Sequence, residues 1–309
     1  MAKLKRFGGT PVSEGVRLEV GKYTVFAVRN ASRDISVRMR REPRRLLKTC
    51  MHVPFLRGAT RLVRDIVRFL DGLGEAAELN PHRAVRGTRV ERVLARSFSV
   101  HPQSIVTLLS GILIPIIAFA CLFAAPEGAE MFFQDYFSPA RTQLNWMVCA
   151  VRIIAALLGV GLICRLRVVN RLCMYKGAIN KVTNCYECRD EISIRNAAQY
   201  PIITRRSEPV FLMGVLIFSL IGFTFIRTDG ILLTALVRIL IVLAVAAVFN
   251  EPYSALESAD MTLPVRITRA PMDLLQHITV LEPTEQMLEV AVCAFRAALG
   301  ENDKEVKPD

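Results

Sequence analysis

Three cysteines and two arginines are the residues whose type and placement could carry chemistry in this chain. Cys185 and Cys188 form a Cys-X-X-Cys pair, with Cys173 upstream of them. Thiolates at that spacing hold zinc when further ligands complete a set of four. They run redox chemistry when a helix N-terminus lowers one thiol pKa. The histidines (His52, His82, His101 and His277) are scattered and lack metal-binding spacing. Two ordinary reduced thiols are the plainer reading. Arg152 and Arg238 are single charges, each inside an apolar run and roughly 12 Å from its outer end at the helical rise. Charges at such positions face a bundle interior, a partner or water. No acid lies within any of the apolar runs, so the pair could hold an anionic lipid headgroup. Equally, both side chains could snorkel outward to the interface.

The elements that must position these residues are membrane-like. Four apolar segments, 104–125, 144–164, 209–226 and 231–249, stand close together, and their lengths suit a hydrocarbon core of about 30 Å. The last two are joined by Arg227-Thr-Asp-Gly230, which predicts an antiparallel pair. The stretch 126–143 carries one Arg and three acids, whereas 165–208 carries nine Lys/Arg and four acids. Residues 1–103 hold 22 Lys/Arg against 9 Asp/Glu. The positive-inside bias then predicts four spans with both termini in the cytoplasm. No basic start followed by an apolar run and a cleavage site opens the chain, so no removed signal peptide is expected.

Composition agrees. The 309 residues are 52% hydrophobic with a mean hydropathy of +0.35, yet the net charge is +12. A soluble core does not need that much apolar residue. Basic excess also suits nucleic acid, but no RNA- or DNA-binding motif supports such a partner, and none is expected. The glycine-rich stretch Gly8–Gly15 lacks the Lys and spacing of a phosphate loop. Cys50, Cys173, Cys185 and Cys188 fall in segments expected in the cytoplasm, where thiols stay reduced.

The non-membrane pieces read in order. Gly8, Gly9 and Gly15 suggest backbone bends. Residues 22–30 and 34–40 read as a β-hairpin, which alone is marginal and should lean on another strand near Val16. A two-faced helix follows, with Leu62, Val63, Ile66, Phe69, Leu70 and Leu73 opposite Arg57, Arg61, Arg64 and Arg68. It could lie in the membrane interface, or pack on the hairpin with its basic face solvated. Residues 80–100 read as a linker and juxtamembrane helix, and 171–187 as a polar loop. Near the end, a helix opens at Pro283 with Glu285 in its first turn. Its buried stripe is Met287, Val290, Ala291, Ala294 and Leu299. Residues 301–309 read as a frayed tail.

The stretch Arg171–Glu187 resembles the signature of the YqhQ-like family, bacterial membrane proteins of unknown function once predicted to be metal-dependent enzymes. That signature reads Tyr-His-Gly-Ala-Glu-His-Lys, then Asn-Cys-Tyr-Glu. Tyr175, Gly177, Ala178, Lys181, Asn184, Cys185, Tyr186 and Glu187 keep it. Lys176 and Asn180 stand at the histidine positions and Ile179 at the glutamate. Further matches are Gly8, Gly9, Val12, Glu14, Gly15 and Val16 at the start, then Pro54, Leu56, Arg57 and Gly58. Others are Arg206, Phe211 and Leu212, and a closing element running from Pro271 to Ala291. Thr204 and Ser207 replace a His and a Cys, and Ser254 follows Tyr253 where the family has Glu. The departures fall on residues that could bind metal or move protons. The resemblance therefore implies a branch that keeps the architecture without metal ligands or cofactor; an amine, an amide and an alkyl chain do not replace two imidazoles and a carboxylate.

The expectation is a mainly α membrane protein with four transmembrane helices and a small α+β cytoplasmic cap. It comprises an N-terminal cytoplasmic part (1–103), a transmembrane region (104–249) carrying the signature loop (165–208), and a cytoplasmic helical segment (250–309). It would sit multi-pass in the bacterial cytoplasmic membrane as a non-catalytic scaffold for a protein partner. Two other readings stay open: an enzyme with a site relocated to Cys173, Cys185 and Cys188, and an anionic-lipid binding or transport protein centred on Arg152 and Arg238.

Overall fold

Short runs rich in Val, Tyr and Phe build one antiparallel sheet near the N-terminus, and the elements described after it are helices. The computed structural model describes residues 7–20, 23–30, 34–41, 56–79, 113–114, 116–118, 120–137, 140–204, 207–225, 231–258 and 263–300. Strands β1 (Phe7–Val12), β2 (Gly15–Val20), β3 (Tyr23–Arg29) and β4 (Ile35–Arg41) pair in chain order. The expected hairpin is β3–β4, and its expected support near Val16 is β2; β1 is a further strand. Gly8, Gly9 and Gly15 are not bends but lie within strands. The tight turn between β1 and β2 instead puts Glu14 in the left-handed region, at φ 59°.

The helices are α1 (Leu56–Leu79), α2 (Ala125–Phe137, continuing a π-helical turn over Ala120–Ala124), α3 (Arg141–Arg165) and α4 (Arg167–Glu187). After them come α5 (Ile194–Gln199), α6 (Glu208–Phe225), α7 (Ile231–Ser258), α8 (Leu263–Thr279) and α9 (Glu285–Gly300). Among the described residues, four stretches are long and apolar enough to cross a membrane: Ile116–Phe137, Arg141–Arg165, Glu208–Phe225 and Leu233–Glu257. The first overlaps the run expected at 104–125 and extends past it to Phe137, so most of the outer loop expected at 126–143 is helix. Pro126 lacks an N–H and cannot bond the carbonyl four residues back. The π turn just before it absorbs that break, so the helix continues. The linker at 80–100, the segment 104–112, the turn 227–230, the tail 301–309 and Cys50 lie outside the described residues.

The largest correction concerns 171–187. It is no loop: α4 runs straight through it, with Tyr175 to Val182 all buried. Its polar residues are spaced among Ala178, Ile179 and Val182, which pack with Val16 and Leu18 of β2 and with Val290, Ala291 and Phe295 of α9. A polar sequence surrounded on all sides must satisfy its donors inside the protein, which apolar periodicity cannot foretell. In α9 Met287, Val290, Ala291 and Ala294 are buried as expected, Leu299 is only half-buried, and Leu288, Val292, Phe295 and Ala298 widen the stripe. The helix opens after Thr284, whose carbonyl accepts from Met287 and Leu288, rather than at Pro283.

Helix α1 settles its two readings against the solvated basic face. Arg61 and Arg68 point inward, ion-paired with Glu257 at 2.9 Å and Glu19 at 2.5 Å, and the more exposed Arg57 ion-pairs with Glu251. Among the described side chains of α1, the exposed ones are Leu56, Val63, Ile66 and Phe69. Gly58 lets this helix touch α7, since a Cβ there would collide with the Ala246 carbonyl.

Candidate functional site

The signature residues converge on the middle of α4, where each polar group is held by a neighbouring backbone. Lys176, only 4% exposed, donates from Nζ to the Gly9 carbonyl at 2.6 Å and lies 3.3 Å from Glu208 Oε2. Asn180 donates to the Ile202 carbonyl at 2.8 Å. Lys181 donates to the Ala198 carbonyl at 3.1 Å and reaches Glu282 at 3.2 Å. Asn184 spans the carbonyls of Pro201 and Ile203, each at 2.8 Å. Buried charges of this kind persist only when paired and hydrogen-bonded. The positions at which the resemblance places metal ligands therefore hold cross-links from α4 to β1 and to the 198–203 connection.

The N-terminal motif reaches the same helix. Glu14 receives a two-pronged contact from Arg171, which offsets the roughly 1 kcal/mol cost of its left-handed backbone. Burial and the nearby Glu14 charge push the Tyr175 phenol above its ordinary pKa, against the Arg171 and Arg29 guanidiniums. Gly9 sits against Ile179, where a Cβ would fall 2.5 Å from its methyl. Gly177 faces the Leu281 carbonyl just as closely. Tyr186 packs edge-on against Phe7, centroids 4.8 Å apart. Glu187 is exposed at the helix end.

A second polar layer, which sequence reasoning missed, joins α1, α6, α7 and α8. Arg61 reaches Asn250 and Glu257 while stacking over Phe211 (4.6 Å) and Tyr253 (5.0 Å). Tyr253 donates to the Ser207 carbonyl at 2.8 Å. Gln276 pairs with the Thr204 backbone on both sides, accepting its N–H at 3.1 Å and donating to its carbonyl at 3.0 Å. Glu251 and Glu257 could have been found from the extension of α7 beyond 249. Asp65 and Glu208 carry no such signal. Burial first, then the Glu208 charge, raises the Asp65 pKa, partly opposed by Arg64, Arg61 and Arg68.

The three thiols are not brought together. Cys173 and Cys185 lie on the same helix about 18 Å apart at the helical rise. Cys173 instead neighbours Cys164, and that thiol and burial raise its pKa. Cys185 donates to the Glu191 carbonyl at 3.6 Å, and burial, Asp190 and Cys188 raise it as well. Cys188 is exposed. The pair sits at the C-terminus of α4, where the helix dipole disfavours a thiolate. Among the described residues, no group of three or more His, Cys, Asp or Glu side chains could hold a metal ion.

Arg152 and Arg238, by contrast, do meet. They line one cavity of about 280 Å³ between α3, α6 and α7. Arg152 donates to Thr224 Oγ1 at 2.8 Å, and Arg238 lies 5.6 Å from the centre of the Phe223 ring.

Fold and site together define a mainly helical protein with four membrane-length apolar helices and a small antiparallel sheet, knit by a buried polar helix. The chain belongs to the family described as "Protein of unknown function (DUF1385)", whose model matches residues 53–301. It is also similar to "Uncharacterized protein YqhQ" of Bacillus subtilis (strain 168), at 21% identity over 297 residues, covering 95% of this chain and 92% of that protein. No solved structure matches.

Proposed function

We propose that this protein is a multi-pass protein of the bacterial cytoplasmic membrane, with both termini in the cytoplasm, that acts without catalysis as a scaffold for a protein partner. Its branch has exchanged the metal ligands of the YqhQ-like signature for internal cross-links. The observation that carries this reading is the bonding of Lys176, Asn180 and Lys181 to the carbonyls of Gly9, Ile202 and Ala198. Lys176 and Asn180 bind backbone where the signature has imidazoles, and the buried Lys176 ammonium repels a cation further. Membrane placement is supported by exposed Trp146, Ile154, Leu158, Phe218, Leu236 and Ile239 on the membrane-length apolar helices, a surface suited to lipid. The outward apolar face of α1 fits the membrane interface.

Elemental analysis of the detergent-purified chain tests it, beside a family member carrying His, Glu and His at the positions of Lys176, Ile179 and Asn180. Metal in that relative alone is the expected result. Stoichiometric metal in this chain, lost in the Cys185→Ser, Cys188→Ser variant, would replace the scaffold with a thiol-ligated enzyme.

A further inference from the structure

We infer that Arg152 and Arg238 form a binding site for an anionic phospholipid, with the phosphate between the two guanidiniums and the first part of the acyl chains on the apolar lining. The inference rests on reading these helices as membrane spans. Apart from the two arginines, the described residues lining the cavity are apolar, among them Leu122, Leu220, Phe223 and Leu243. At about 280 Å³ it lies near the lower end of the roughly 300–1,000 Å³ typical of ligand pockets. It therefore suits a headgroup and the start of its chains rather than a whole lipid. Planar guanidiniums grip phosphate through paired N–H donors.

Depth points the same way. Arg152 lies near the middle of α3, yet its partner Thr224 is next to the last residue of α6. Arg238 stands about 10 Å inside the start of α7 at the helical rise, beside Phe223. Both cations are thus at the end of the bundle where α6 stops and α7 begins, one to two turns inside it. A phosphate tethered to acyl chains reaches that level, and the chains would run over the exposed faces of Phe218, Ile239 and Leu240. Leu122 comes from the π-helical turn, a widening of the helix that often accompanies a site. Arginines that only snorkelled would not share one cavity with an apolar floor.

The full chain, reconstituted in nanodiscs of phosphatidylcholine with or without phosphatidylglycerol, gives the test through its melting temperature. Phosphatidylglycerol should raise it by several degrees, and inorganic phosphate in pure phosphatidylcholine should not. Arg152→Gln with Arg238→Gln should abolish the increment, taken for each variant against its own value in pure phosphatidylcholine, and the double Lys variant should keep part of it. An undiminished increment in the Gln variant, or an equal effect of free phosphate, overturns the site. Should the Gln variant not reconstitute, native mass spectrometry of the wild-type protein from mixed lipid decides: retained phosphatidylglycerol supports the site, and no preference overturns it. Alkaline carbonate extraction separates the two failures, since protein released from membranes would defeat the membrane reading itself.

Discussion

Gly177 and Gly128 both lie within helices, and intrinsic propensity alone predicts that alanine stabilises each by up to about 1 kcal/mol. The structure splits them. Nothing stands within 4 Å of a Cβ built on Gly128. On Gly177 the same atom would lie closer to the Leu281 carbonyl than the 3.0 Å that real Cβ atoms respect, with Pro283 Cδ at 3.3 Å. The contact is with backbone, so no rotamer relieves it. The 281–283 segment must retreat by about 1 Å, an overpacking that costs roughly 1–3 kcal/mol. The Leu281 N–H bond to the Cys173 carbonyl, 3.2 Å long, goes with it, at about 1 kcal/mol. After subtracting the propensity gain, Gly177→Ala should destabilise by about 1–3 kcal/mol. Gly128→Ala should be neutral or slightly stabilising. Heating the detergent-solubilised protein with a fluorogenic maleimide reports exposure of buried Cys149 and Cys185. A Gly177→Ala melting point at or above that of Gly128→Ala would refute the close approach of α4 to 281–283.

Two further outcomes follow from the second polar layer. Gln276→Met leaves the Thr204 N–H and carbonyl without their partners, so it should cost about 2–4 kcal/mol; a variant that melts with the wild type in the same assay would show those groups satisfied elsewhere. Asp65 has a folded pKa raised above its unfolded value of about 4. Its contribution is fully present below that unfolded value and is lost as pH rises through the folded one. Asp65→Asn should therefore melt higher than wild type at neutral pH, with the difference closing as pH falls toward about 4; curves that stay parallel over that range would sink the assignment.

What the sequence discloses here follows the physics of each element. The apolar helices are long enough to stand out by hydropathy, and α9 by its 3.6-residue stripe. The β3–β4 hairpin shows because its residues are β-branched and alternate. The family signature was visible as residues but not as structure: Lys176, Asn180, Lys181 and Asn184 read as solvent-facing because only tertiary carbonyls make their burial tolerable. The same cause hid the direction of α1. An arginine stripe implies water until Glu251, Glu257 and Glu19, distant in sequence, are found beneath it. Glycine positions were legible as special but not why, since a strand position against Ile179 and a bend both demand a missing side chain.

Helix α1 is bonded at its start to α7, through Arg57 and Arg61, and further along to the sheet, through Arg68 to Glu19 and through Arg17 to the Arg68 carbonyl at 2.7 Å. It is a strut with a fixed joint at either end. A tilt or rotation of α7 would therefore not be absorbed in a hinge but delivered to β2, about 16 Å away along the helix at its rise per residue. On the membrane reading proposed above, with Arg61 and Arg68 held in those joints, the strut would meet a bilayer mainly through Leu56, Val63, Ile66 and Phe69, and added salt should leave it in place.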